Sequence, residues 1–291
     1  MKKWLKRVLW TIFGLVVLLM IVFGVFIYKV KYGFPIYEKT PPELSLNASD
    51  FTVLVFSKTN GFPHKGAIAE AKGAFDSLGQ KNNWAVVISD NGAVFNEEQL
   101  PLFDVVIWNN ATGKNLTDEQ RASFKNYMEG GGSVIGIHGA GDASHRWPWY
   151  EENLIGANFT HHTMNPQFQE ATMNKECSAS FTDCGTLPEQ WIREEEWYVF
   201  TNNPREGGAN VIYTVDENTF DPNGNMRFLA SDKNFGMGDD HPIVWYRCLA
   251  GGGKAFYSAL GHSGEYFKEA NHLLLLESAI KWAGDRNIVC Q

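Results

Sequence analysis

Cysteine is scarce in this chain. Cys177, Cys184, Cys248 and Cys290 form no C-x-x-C pair, which excludes a thiolate zinc ribbon. No H-x-x-x-H spacing occurs, so the common helical two-histidine metal signature is missing too. No internal repeat and no low-complexity stretch is found, which excludes a solenoid or a compositionally disordered chain. Basic residues are few: 25 Lys and Arg stand against 33 Asp and Glu, for a net charge of −8. Six of the basic residues flank the first apolar run, so the remainder carries −14. Such a surface repels nucleic acid and anionic lipid and suits a small neutral substrate.

What the chain does have is one long apolar run, Val8 to Tyr28, 21 residues without a charge. At about 1.5 Å per residue a helix of that length crosses a bilayer. Lys2, Lys3, Lys6 and Arg7 precede it, which places the amino terminus in the cytoplasm and the rest outside it. The bulky stretch Phe26-Ile27-Tyr28-Lys29 offers no small-x-small cleavage site, so an uncleaved anchor is expected rather than a signal peptide. The expected organisation is a cytoplasmic tail (1–7), an anchor (8–28), a proline-containing tether (29–50), one globular domain (51–284) and a short tail (285–291). Cys177 and Cys184 bracket a short polar loop; a disulfide and two free thiols both fit. Sequons begin at Asn47, Asn110, Asn115 and Asn158.

The domain is organised around Gly131 to Asp142. Gly130, Gly131 and Gly132 stop a helix, and Ser133 to Ile137 is a short β-branched run expected to be buried on both faces. Gly136-Ile137-His138-Gly139-Ala140 then reads as a sharp turn at a strand's carboxyl end. This is the geometry of a nucleophile elbow, with an imidazole where a serine or cysteine would stand.

Strands are expected at Phe51 to Ser57, Trp84 to Ser89 and Asp104 to Trp108. A helix carries Ile68, Ala71, Phe75 and Leu78, and another begins at a capping box, Thr117 with Gln120. This alternation predicts a mostly parallel α/β sheet flanked by helices. Its ligands would lie outside the strands' carboxyl ends, near His64, Asn109 and His138. Shorter strands at Phe168 to Met173, Val211 to Val215, Ile243 to Cys248 and Lys254 to Ala259 suggest an antiparallel extension. Glu265 to Trp282 is a closing helix.

His64, His138, His241 and His262 lie in loops beside glycine or aromatic residues and are candidates for acid–base work. His161, beside His162, is a candidate contact for substrate. A lone histidine is usually structural, whereas several at strand ends mark a site; His145 and His272 read as structural. In Glu194-Glu195-Glu196-Trp197-Tyr198, Glu194 reads as solvated. Glu196, or Glu195, is a candidate acid or base, with a raised pKa if buried. Asp142 is a candidate for orienting His138, for holding a substrate hydroxyl, or for capping the next turn. Asn109, Trp147, Trp197 and Tyr198 complete the candidate substrate contacts; the aromatics equally suit core packing. Imidazoles so placed also leave a divalent metal open.

Taken in order, Lys58 to His64, Gly130-Gly131-Gly132 through Gly136 to Ala140, Trp147-Pro148-Trp149-Tyr150, Glu195 to Tyr198, Asp240 to Ile243 and Gly261-His262 resemble the trehalose-utilisation (ThuA-like) family. The resemblance covers roughly 51–284. It implies a flavodoxin- or class I glutamine amidotransferase-like fold and a role in breaking down disaccharides through keto-sugar intermediates. A thiol amidotransferase is excluded, because neither His138 nor Gly139 supplies a thiolate or alkoxide. The expected function is carbohydrate processing on a disaccharide, glycoside or keto-sugar by His and Glu. The alternative is a non-catalytic carbohydrate-binding module at the cell surface.

Overall fold

A computed structural model describes residues 3–46, 49–226, 229–234, 236–288 and 290. The sequon at Asn47 lies outside them. Asn110 and Asn115 are buried, and only Asn158 offers an exposed acceptor.

Helix α1 (Lys3–Tyr32) is long and apolar enough to cross a membrane, and its apolar side chains are exposed all round. The same properties mark signal sequences. The helix runs past Tyr28 and stops at Gly33, whose φ of +70° suits glycine.

The next residues are not a loose tether. Phe34 N donates to Asn60 O at 2.9 Å, and Asn60 Nδ2 donates to Ile36 O at 3.0 Å. Glu38 pairs with buried Lys58 at 2.5 Å and accepts from Gly92 N at 2.9 Å. Gln120, Asn91 and Gln99 donate to the carbonyls of Glu38, Thr40 and Pro42. Few of these residues are apolar, so periodicity gave no sign of the docking. Backbone carbonyls and one carboxylate do the holding.

The domain is built on a nine-stranded sheet, order β2-β1-β3-β4-β13-β12-β9-β6-β7. Strands β1 (Thr52–Phe56), β2 (Ala85–Ser89), β3 (Val105–Asn109) and β4 (Ser133–Ile137) run parallel. Nearly all of their residues are buried apart from β2, as expected of strands covered by helices. The covering helices are α2 (Lys65–Asn82) and α3 (Asp118–Glu129), with the expected Thr117–Gln120 capping box. A single turn, α4 (Pro148–Tyr150), and α5 (Ala270–Gly284) complete the set. The closing helix begins later than expected, because a 3-10 turn, Gly264–Lys268, precedes it.

The expected extension is present: β12 (Pro242–Cys248), β9 (Asn210–Val215), β6 (Gln169–Lys175) and β7 (Gln190–Glu195) pair antiparallel. Strand β13 (Lys254–Ser258) differs, lying parallel to β4. Its carboxyl end therefore joins those of β1, β3 and β4. Two small ribbons, β5 (Phe159–His162) with β8 (Tyr198–Phe200) and β10 (Asn223–Met226) with β11 (Leu229–Asn234), lie outside the sheet. Disulfides join Cys177 to Cys184 and Cys248 to Cys290.

Candidate functional site

The turn after β4 is shaped by backbone strain. His138 has a φ of 45°, a conformation that non-glycine residues rarely adopt outside special sites. Tyr257 Oη donates to His138 O at 2.9 Å, and its ring occupies the space a Cβ at Gly141 would need. Asn110, also at positive φ, accepts from Gly139 N and donates to Gly261 O, tying this turn to the exit of β13. The His138 ring is not presented to solvent as an elbow residue would be; it is fully buried. Its Nδ1 donates to Ala259 O at 2.7 Å, which leaves Nε2 facing the site.

Three imidazoles converge there. The rings of His64, His138 and His262 have centroids 4.9, 4.9 and 5.0 Å apart, each pair at 85–89°. One ligating atom from each lies within 4.8 Å of the others, close enough to share one cation.

Glu196 faces them from beyond β7. Its Oε2 lies 2.9 Å from His262 Nδ1 and 3.4 Å from His138 Nε2. Its Oε1 lies 3.2 Å from His162 Nδ1 and accepts from Gln167 Nε2 at 2.7 Å. Strand alternation places its neighbour Glu195: Trp191, Arg193 and Glu195 point inward along β7, while Ile192 and Glu194 point out, and Glu196 follows where the strand has ended. Glu195 is the anchor. It pairs with Arg193 at 3.0 Å and accepts from Gly261 N at 2.8 Å, fixing the loop that carries His262.

The expected raised pKa of Glu196 is corrected. Burial pushes its carboxyl up, but hydrogen bonds from His138 and His262 and the charge of His162 outweigh it, holding the group well below the usual carboxylate range. Burial likewise opposes charge on His138, yet its hydrogen bond to Glu196 wins and raises its pKa. His64 is driven well below its ordinary value by burial and by the neighbouring imidazoles. His162 is lowered chiefly by burial, and burial raises Asp142.

A cavity of about 680 Å³ opens onto this cluster. His64, Glu196, Tyr198 and His262 line it with Asp142, His162, Phe62 and Phe159, and Phe26 and Val30 of α1 form part of its wall. Asp142 also accepts from Ser144 N at 2.9 Å, the capping role weighed from the sequence.

Other candidates sit elsewhere. His241 is buried, its Nδ1 at 2.7 Å from Glu217 and its Nε2 at 2.8 Å from Tyr198 O, so both nitrogens are spent inside the fold. Asn109 donates to Ser57 Oγ, and Trp197 donates to Gln169 O. Trp147 stacks on Tyr150 beneath Arg121. None of the four lines the cavity. His161 does not line it either; the adjacent His162 does. Gln167 and Asn110 were missed, and an isolated amide gives no sequence signal.

The fold and this site define an α/β protein with strand-end imidazoles gathered about the buried Glu196 carboxylate. Residues 52–283 match the trehalose-utilisation family, ThuA, and the chain belongs to it. A structure from Bacteroides uniformis described as ThuA-like is 25% identical, with a TM-score of 0.66, covering 86% of this chain and 95% of its own. A second, from Parabacteroides merdae, is 17% identical, with a TM-score of 0.56, covering 81% and 90%. No curated protein sequence matches the chain.

Proposed function

We propose that the protein is a membrane-anchored carbohydrate-processing enzyme acting on a disaccharide, a glycoside or its keto derivative. The observation that carries this is Glu196, 2% exposed, kept ionised between imidazoles at the floor of an aromatic-walled cavity. A carboxylate held ionised by imidazoles gains basicity when substrate displaces those hydrogen bonds, and the imidazoles within reach can carry the proton onward. With a keto-sugar, Glu196 takes the proton from the carbon beside the carbonyl. The electron pair moves to the carbonyl oxygen as an enolate; its return breaks the bond between the next carbon and the glycosidic oxygen, and that oxygen leaves with the proton from Glu196, giving an enone and a free hydroxyl. Phe62, Phe159 and Tyr198 suit the apolar faces of sugar rings. The family description, trehalose utilisation, supports this substrate class.

The anchor is α1, with its amino terminus cytoplasmic and the domain beyond the membrane. The basic residues before the span support that orientation, and two disulfides suit an oxidising compartment. The docked segment after Gly33 leaves no slack, so the cavity mouth stays beside the bilayer.

The test is incubation of the full chain in detergent with a panel of glycosides and their keto counterparts, wild type against Glu196→Gln. Product from wild type alone supports an enzyme. Saccharide binding without product in either protein supports the binding module instead.

A further inference from the structure

We propose that His64, His138 and His262 hold a divalent first-row cation, with zinc the best match, and that Glu196 stands against its open coordination position. The proposal rests on the reading of this cavity as a reactive centre, but its test needs no sugar.

The geometry is that of a ligand set. His138 Nε2 and His262 Nδ1 lie 3.1 Å apart, and one ligand atom from each of His64, His138 and His262 lies within 4.8 Å of the others. Glu196 Oε2 lies beside them, 2.9 Å from His262 Nδ1 and 3.4 Å from His138 Nε2. Ligands about 2.0–2.1 Å from a tetrahedral zinc lie about 3.3 Å apart. The three ring centroids, separated by 4.9, 4.9 and 5.0 Å, are mutually perpendicular. Imidazoles that converge edge-first on a common point have this arrangement.

The surrounding shell agrees. His138 donates Nδ1–H to Ala259 O, the usual support of a metal-bound histidine, which turns Nε2 toward the site, where a cation would take the place of its proton. His64 Nδ1 is buried and has no hydrogen-bond partner, although a carboxylate and two imidazoles lie beside it. Hydrogen bonding to Glu196 accounts for the placement of His138 and His262, but not for that of His64; a shared cation accounts for all three. Imidazole nitrogens with one carboxylate favour zinc and its neighbours over magnesium or calcium, which prefer oxygen. Three protein nitrogens with the next position facing a cavity is the pattern of catalytic rather than structural zinc. Such a cation would polarise a sugar carbonyl or hydroxyl oxygen, leaving Glu196 beside it to take the proton. The chain forms this set without helical spacing, because β1, β4 and β13 deliver one histidine each.

The experiment uses the full chain in detergent, stripped with chelator and dialysed. Zinc is titrated with metal analysis of the dialysed protein, and cobalt(II) with visible absorption. One equivalent per chain is expected, with a tetrahedral cobalt spectrum. His64→Ala and His262→Ala are expected to weaken binding at least 100-fold, while His161→Ala, outside the cavity, binds as wild type. Circular dichroism confirms that each variant is folded. His262, at the cavity wall, is the safer substitution if His64→Ala unfolds. Wild type that takes up no zinc or cobalt, or a folded His262→Ala that binds as wild type, overturns the proposal. Zinc binding without turnover of any sugar would instead count against the proposed function and leave the metal site standing.

Discussion

Glu196 Oε2 and His138 Nε2 meet 3.4 Å apart, both buried, although one lies beyond the edge strand of the sheet and the other ends a central one. The pair therefore ties the antiparallel extension to the parallel half at the point where chemistry is expected.

Glu196→Gln keeps the shape and removes the charge. General-base contributions run to about 10²–10⁴-fold, so turnover is expected to fall at least 100-fold on any sugar the wild type processes. Steady-state kinetics on the panel checks it, with a thermal melt to show that the fold persists.

Gly139 makes room for His64. A Cβ there would meet Thr112 Cγ2 at 2.8 Å and the His64 ring at 3.1–3.2 Å. Gly139→Ser is expected to shift His64 and cost about 1–3 kcal/mol through overpacking. Denaturant unfolding gives the stability loss, and a shifted His64 ring resonance in NMR spectra reports the displacement. An unmoved ring in a stable variant would contradict this account of the turn.

The segment from Gly33 is expected to be part of the folded domain. A fragment starting at Asp50 loses Glu38, the partner of Lys58, together with the hydrogen bonds that residues 34–42 make to Asn60, Gly92 and Gln120. A fragment starting at Gly33 is expected to melt well above it. Thermal unfolding of the two fragments decides.

The same contact sets a pH dependence. Burial raises the Glu38 carboxyl, but Lys58 and the Gly92 amide outweigh it and lower its pKa. A carboxylate with a depressed folded pKa stabilises above its unfolded value, and that contribution is lost as pH falls through the folded one. The protection of the residue 34–42 amides against exchange, relative to their intrinsic rates, is therefore expected to fall off below about pH 4.5, the ordinary carboxylate value. In Glu38→Gln the exchange is expected to be fast at neutral pH already.

The Cys248–Cys290 disulfide fastens the chain end to β12. Replacing both cysteines by serine is expected to cost about 2–5 kcal/mol, read from the urea midpoint. The sequence drew attention only to the Cys177–Cys184 pair, seven residues apart; a partner 42 residues away leaves no local signature.

The parallel half of the fold was legible because β1, β3 and β4 are short buried runs closed by glycine or asparagine turns. His64, His138, His262 and Glu196 were legible too, as polar residues where the pattern breaks. His162 was passed over for His161, since β5 has no clear apolar face and alternation alone cannot say which neighbour points inward. Strand β7 was invisible for a related reason: its inward residues include Arg193 and Glu195, which look solvated until their partners are known. His241 read as a site residue because histidine beside proline in a loop looks the same whether it faces a cavity or, as here, a buried carbonyl.

The most direct test of the central claim, that Glu196 is the base of a sugar-processing centre, is proton exchange. The full chain is incubated in deuterium oxide with the keto-glycoside panel, and deuterium at the carbon beside the carbonyl is followed by NMR. The account predicts exchange or cleavage with wild type and at least a 100-fold loss in Glu196→Gln. Equal exchange by a folded Glu196→Gln protein would contradict it.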